Sequence, residues 1–205
     1  MISTVYRDRL DRLLASGART MLGIAGPPGS GKSTLAQALL EHAGERAAIV
    51  PMDGFHLANA ELARLGRAGR KGAEDTFDSA GYLNLLHRLR RQAPDEVVYA
   101  PTFLRDIEEA IAGAIPVPPA TRLIITEGNY LLLERGYWAG VLPLLDEAWY
   151  VDVDPALRRE RLVARHVRHG RAPAQAQAWV RDSDERNAEL IEATRSRAHV
   201  LFRWD

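Results

Sequence analysis

The sequence of 205 residues contains no cysteine. This absence excludes disulfide bonds, metal sites built on thiolates and catalysis by a cysteine nucleophile. A surplus of either charge is also missing, since 27 lysines and arginines balance 27 aspartates and glutamates. A chain that binds nucleic acid or an acidic membrane surface usually carries a basic excess. We therefore expect neither as a partner.

Long hydrophobic runs are absent as well. Uncharged stretches such as Thr20–Gly31 fall well short of the roughly 18 apolar residues that a membrane span needs. The first residues lack the basic-then-apolar layout of a secretion signal. The sequence thus predicts a single domain over residues 1–205, with no membrane span and a cytoplasmic location.

Lysine is scarce, because only Lys32 and Lys71 are lysines among the 27 basic residues. A coding bias towards arginine is one explanation. The other is that lysine is kept where a compact ammonium is needed and a planar guanidinium would not fit.

Apolar spacing and capping residues predict alternating strands and helices. Strands are predicted at 19–25, 47–52, 96–100, 122–126, 148–153 and 199–203. Helices are predicted at 6–14, 32–42, 79–89 and 155–169, with one or two more within 173–195. The segment 105–119 is ambiguous, because its first half has helical spacing and its prolines end any regular element. The pattern predicts an α/β fold with a mostly parallel five-stranded sheet and helices on both faces.

A glycine-rich motif lies between the first predicted strand and the next predicted helix, which is the context that such a phosphate-binding loop requires. It fits G-x-x-x-x-G-K-[ST] and consists of Gly26, Pro27, Pro28, Gly29, Ser30, Gly31, Lys32, Ser33 and Thr34. Backbone N–H groups and the helix N-terminus would surround the phosphates of ATP. Lys32 would reach the β- and γ-phosphates, and the Ser33 hydroxyl would bind Mg²⁺.

Two acids end predicted strands. Asp53 is expected beside the phosphate loop, where its carboxylate can take a proton from an attacking hydroxyl or hold magnesium through water. Its alternative role is a helix cap. Glu127 is a lone acid after Thr126, without the acid pair that hydrolysing ATPases use, and this favours transfer to a bound acceptor. The alternative for Glu127 is a cap or a loop salt bridge.

The helix predicted from Pro155 carries four arginines within a narrow arc: Arg158, Arg161, Arg165 and Arg168. On the opposite side it carries the apolar residues Ala156, Val163 and Val167. Four cations on one stripe repel one another, and a triphosphate facing them would remove that cost. We predict a lid over about 155–173 that closes on the phosphates. A solvated face in an arginine-rich chain is the alternative.

Some residues have two interpretations from the sequence. The glycine-flanked pair Arg70-Lys71 would lie near an acceptor or on the surface, and His56 would contact a substrate or be an ordinary loop histidine. The aromatic residues are expected in the core rather than against a cofactor: Tyr82, Trp138 and Trp149.

The motifs together resemble the P-loop small-molecule kinases, the group that includes uridine kinase, type I pantothenate kinase and phosphoribulokinase. The closest likeness is to bacterial fructose transport system kinase, or fructokinase-like, proteins. The resemblance rests on residues 26–34, 52–57, 70–72, 76–78, 127–132, 161–170 and 194–198. It implies an ATP- and Mg²⁺-dependent phosphotransferase that acts on a hydroxyl of a small metabolite. The favoured acceptor is a sugar such as fructose, and the alternatives are a nucleoside or pantothenate. Dimers are common among relatives, so a homodimer is an open expectation.

The resemblance also implies roles for residues. Asp53 would be the base, Lys32, Arg161 and Arg165 would act on the transferred phosphoryl group, and Arg168 would assist ATP binding. Ser33 and Glu127 would hold magnesium. The acceptor would bind within about 54–120 and its surroundings, through Asp53, His56, Arg70, Lys71, Arg105, Glu127, Asn129, Tyr130 and Asn187.

One position departs from the family pattern. Relatives commonly carry an aspartate just before the arginine that matches Arg105, where this chain has Leu104 and places Asp106 on the far side. The acceptor pocket is therefore expected to differ. A protein of another class, a nucleotide-switched regulator with slow hydrolysis, remains the second hypothesis.

Overall fold

The structure, a computed structural model, describes residues 2–204. Its helices are α1 (Thr4–Leu14), α2 (Lys32–Ala43), α3 (Asn59–Arg64), α4 (Ser79–Arg90), α5 (Pro155–Arg168), α6 (Pro173–Trp179) and α7 (Glu185–Glu192). Its strands are β1 (Thr20–Ala25), β2 (Ala47–Pro51), β3 (Val98–Leu104), β4 (Glu109–Val117), β5 (Leu123–Gly128), β6 (Glu147–Val151) and β7 (Val200–Phe202). Within residues 2–204, none of the helices combines the length and the apolar character needed to cross a membrane.

Five parallel strands form the main sheet, in the order β2-β5-β1-β6-β7. Successive residues of its central strands enter two different cores, because strand side chains alternate between faces. Leu22 and Ile125 pack with α1 and α2, whereas Met21 and Ile124 pack with α4. Both faces are thus covered by helices, which explains why these strands are apolar throughout and confirms the predicted fold class.

The segment 96–119 differs from the prediction. Strands β3 and β4 pair antiparallel as a separate two-stranded ribbon and do not join the main sheet. The helical spacing in the first half of 105–119 was therefore misleading. Pairing with β3 decides the structure there, and Pro116 is accommodated opposite Tyr99 near the end of the ribbon.

The arginine-rich helix α5 begins as predicted, because Asp154 Oδ1 accepts hydrogen bonds from the N–H groups of Ala156 and Leu157, both at 2.9 Å. The four arginines of the predicted stripe do not share one environment. Arg158 and Leu162 are the buried residues of α5, and Val167 is exposed. Arg158 is paired there with Glu185 at 2.5 Å.

Candidate active site

The loop between β1 and α2 has the backbone of a phosphate-binding loop. Gly29 and Gly31 have φ values of +80° and +94°, a region that side chains rarely adopt. A Cβ at Gly29 would lie 2.8 Å from Leu162 Cγ and 3.0 Å from the Arg158 carbonyl oxygen. Helix α5 therefore packs directly on the loop, and glycine is required for this approach.

Lys32 begins α2 and lies along the loop, with Nζ donating to the Pro27 carbonyl at 3.1 Å. It is 8% exposed. Burial lowers the pKa of Lys32 to about 8, although the carboxylates of Glu127 and Asp53 oppose the shift. A cation buried this deeply gains from an arriving anion. The loop also contains a buried Ser30 Oγ without a hydrogen-bond partner among residues 2–204. Both observations fit a triphosphate.

Glu127 lies near the end of β5 with its Oε1 accepting a hydrogen bond from Ser33 Oγ at 2.9 Å. Burial raises the pKa of Glu127, and the nearby Asp53 carboxylate adds to this, while Lys32 opposes it. A hydroxyl and a carboxylate are oxygen ligands that suit Mg²⁺, which usually keeps waters and substrate phosphates as its other ligands. These two residues therefore fit a magnesium ion bound together with ATP.

The strand that carries Asp53 to the site is separated from β1 by β5. Asp53 stands in a 3₁₀ turn, Met52–Phe55, where its side chain caps no helix. Its Oδ2 lies 3.4 Å from Arg105 Nη2. The carboxylate is thus directed to a cavity and not used for capping.

Gly54 explains how the ribbon is brought to this turn. A Cβ at Gly54 would lie 2.5 Å from the carbonyl oxygen of Pro101 in β3. The backbone of the ribbon therefore packs against residue 54 itself, which only glycine allows. This contact holds Arg105, just beyond β3, next to Asp53.

A cavity of about 400 Å³, called the main cavity because Asp53, Lys32 and Ser33 all line it, lies between the phosphate loop, the turn after β2, the ribbon and the C-terminal helices. Most of the site residues predicted from sequence line it: Pro28, Gly29, Lys32, Ser33, Asp53, His56, Lys71, Arg105, Glu127, Asn129, Arg165 and Asn187. Side chains from remote parts of the sequence therefore converge opposite the phosphate loop.

Several predicted residues lie elsewhere. Arg70 is exposed and pairs with Asp75. Tyr130 is buried, and its hydroxyl donates to the Gly72 carbonyl at 2.6 Å, behind the cavity wall. Arg168 is exposed at the end of α5 and lines neither cavity. Leu104 is exposed, so the departure from the family pattern leaves Phe103 and Arg105 facing the cavity.

Arg161 lines a second cavity of about 700 Å³ on the other side of the loop. Pro27 and Leu157 border it, together with Arg195 and Trp204 near the C-terminal end. The arginines of α5 therefore diverge, because Arg165 lines the main cavity and Arg161 the second one.

Sequence reasoning missed other residues that line the main cavity, among them Asn59, Phe77, Phe103, Glu108, His166, His169, Arg171, Trp179 and Asp184. The His56 ring lies between Phe77 and Phe103, with centroids 4.0 and 4.5 Å away. Lys71 lies over Phe103, 5.1 Å from the ring centroid. Strand alternation around Arg105 could have indicated Phe103, but the residues of 166–184 carried no signal without the fold.

No family model matches the sequence. The chain is 37% identical over 180 residues to the "Putative uridine kinase" of Schizosaccharomyces pombe, covering 83% of this chain and 76% of that protein. A "Pantothenate kinase" of Levilactobacillus brevis is 28% identical over 209 residues, covering 89% of this chain and 67% of that protein.

Among solved structures, a "putative fructose transport system kinase" from Silicibacter sp. TM1040 has 36% identity and a TM-score of 0.88. The match covers 98% of this chain and all of that one. The fold and the phosphate loop thus define a P-loop kinase. The chain belongs to the uridine kinase and pantothenate kinase family of P-loop kinases, and it is a small-molecule kinase.

Proposed function

We propose that this kinase transfers the γ-phosphoryl group of ATP to a hydroxyl of a sugar such as fructose. The observation that carries the proposal is the shared cavity, in which the Asp53 carboxylate faces the same space as Lys32 and Ser33. A base and a phosphate-binding loop around one small cavity are the parts that phosphoryl transfer to an alcohol needs.

In the proposed step the acceptor oxygen forms a bond to the γ-phosphorus, and its proton passes to the Asp53 carboxylate. The bond from the γ-phosphorus to the bridging oxygen breaks, which leaves ADP and a phosphate monoester. Lys32 and Arg165 stabilise negative charge on the transferred group from the cavity wall. Ser33 and Glu127 would hold magnesium, which would supply positive charge to the triphosphate.

The nucleoside part of ATP is assigned to the second cavity. Trp204 packs against the loop there, because a Cβ added at Gly31 would lie 3.1 Å from Trp204 Nε1. Arg161 and Arg195 line this cavity and supply positive charge beside the loop. The triphosphate would then run along the loop from the second cavity to the main one. Arg168 and Arg70 have no assigned role in this arrangement.

A sugar is preferred as acceptor for two reasons. The relative from Silicibacter sp. TM1040, whose name refers to fructose transport, matches over almost the whole length. In addition, a main cavity of about 400 Å³ is near the small end for ligand sites and must also receive the γ-phosphoryl group. Uridine and pantothenate, named for other relatives, are the next candidates.

The test is an ATPase assay with and without D-fructose, uridine and pantothenate, with identification of the phosphorylated product. Strong stimulation by fructose, with fructose phosphate formed, supports the proposal. Stimulation only by uridine or pantothenate reassigns the acceptor. Hydrolysis that no alcohol changes would refute the transfer function and favour a nucleotide-switched regulator.

A further inference from the structure

A single π-helical turn interrupts the C-terminal helices and places one acid in the wall of the main cavity. Residues Val180–Asp184 form this turn between α6 and α7. A π-turn contains one residue more than an α-helical turn, and such turns are rare and frequent at functional sites. Asp184 ends the turn, is 7% exposed and lines the main cavity. A carboxylate buried to this extent needs polar partners.

One of the two carboxylate oxygens has such a partner. His166 Nε2, on α5, lies 2.8 Å from Asp184 Oδ2. Because an ionised carboxylate only accepts hydrogen bonds, Nε2 carries the hydrogen in this pair. Across residues 2–204 no group donates to Asp184 Oδ1. The carboxylate is therefore held on one side and available on the other.

The surrounding wall is polar and includes one aromatic platform. Arg165 lies close enough that the charge of Asp184 partly offsets the burial that lowers the arginine's pKa. Asn187, one turn further along α7, lines the same cavity. The Arg171 guanidinium lies 3.9 Å from the ring centroid of Trp179, and both residues line the cavity. These groups suit a ligand with hydroxyls and apolar C–H faces.

We infer that Asp184, held by His166, accepts a hydrogen bond from a hydroxyl of the acceptor other than the one that is phosphorylated. The inference rests on the proposed function. Asp53 reaches the cavity from the turn after β2, and Asp184 reaches it from between α6 and α7. An acceptor with at least two hydroxyls engages both acids, so Asp184 selects polyols. His166 is a positioning residue that acts through Asp184.

Steady-state kinetics of single variants test this assignment, with whichever of D-fructose, uridine and pantothenate the wild-type protein phosphorylates. Asp184→Asn and His166→Ala are expected to raise the KM for that alcohol about 10- to 100-fold, the range for a hydrogen bond to a charged group. The KM for ATP should stay within about threefold, since neither residue lines the second cavity. His166→Gln keeps a donor at similar reach and should restore most of the affinity.

Glu185→Gln is the matched control. Glu185 follows Asp184 directly and, like it, pairs with side chains of α5, in this case Arg158 and Arg159. It does not line the main cavity. A merely structural role for Asp184 predicts that both variants lower the melting temperature and change the alcohol KM alike. That result would overturn the inference.

Monodeoxy derivatives of the phosphorylated alcohol give a second measurement that needs only soluble variants. One derivative should have a higher KM than the parent alcohol with the wild-type protein and with Glu185→Gln. With His166→Ala, that derivative and the parent alcohol should have similar KM values. Unchanged KM in an active Asp184→Asn protein overturns the inference and leaves the proposed function intact. If none of the three alcohols is phosphorylated, the proposed function fails and the inference fails with it.

Discussion

Replacing Asp53 by asparagine separates the chemical role of this residue from its structural role. The carboxylate pairs with Arg105 at 3.4 Å, and the two side chains are 30% and 43% exposed. A long, partly solvated ion pair contributes at most about 1 kcal/mol to folding. Asparagine keeps an oxygen that can accept from the guanidinium, so we expect the melting temperature to change little.

The kinetic effect should be much larger. General-base catalysis typically contributes about 10²- to 10⁴-fold, which equals roughly 3–5 kcal/mol in the activation barrier. We therefore expect Asp53→Asn to lose most turnover and to keep ATP binding, because Lys32 and the loop are unchanged. A coupled assay of ADP release and calorimetric titration with ATP measure the two quantities.

The turn between β3 and β4 offers a control. Asp106→Asn removes an exposed carboxylate close to Arg105 that does not line the main cavity. This variant should keep wild-type turnover. If Asp53→Asn turned over its alcohol at nearly the wild-type rate, the assignment of Asp53 as base would be wrong.

Three further perturbations test other parts of the site. Burial lowers the pKa of Lys32 to about 8, and a bound phosphate favours its charged form. ATP binding at pH 8 should therefore take up protons, and ATP affinity should fall as the pH rises above 8. Calorimetry without magnesium in two buffers of different ionisation enthalpy measures this uptake, and no uptake at pH 8 would contradict it. Gly54→Ala should cost about 1–3 kcal/mol of stability and raise the alcohol KM, because its Cβ would meet the Pro101 carbonyl at 2.5 Å. Thermal melting and the alcohol KM are compared with those of Gly69→Ala. A Cβ at Gly69 would meet no heavy atom within 4 Å, so this variant should match the wild type in both measurements. Glu127→Gln should raise the Mg²⁺ concentration for half-maximal rate about 10- to 100-fold, a range typical for disturbed metal sites. A magnesium titration of the rate that matched the wild type would remove Glu127 from the metal site.

The parts of the fold that local patterns determine were predictable. The apolar runs of β1 and β5 required burial on both faces, and the glycines before Lys32 required a loop around an anion. Asp53 and Glu127 were expected at strand ends, where parallel sheets bind ligands. The main cavity brings these residues together.

Parts that depend on contacts between remote residues were not predictable. The order β2-β5-β1 follows from crossover connections and not from the strands themselves. The burial of Arg158 on α5 is accompanied by an ion pair with Glu185, 27 residues further along the chain, which helical spacing alone does not indicate. The π-turn that ends at Asp184 was not predicted from the sequence, where 173–195 indicated only one or two helices.

The proposed function requires that the γ-phosphoryl group of ATP passes to an alcohol held between Asp53 and the phosphate loop. The most direct measurement is ³¹P NMR of the protein with ATP, Mg²⁺ and D-fructose. We expect the γ-phosphate signal to be replaced by that of a sugar phosphate monoester, in equal amount to ADP. Inorganic phosphate as the only new product, formed at the same rate with and without fructose, uridine or pantothenate, would contradict it.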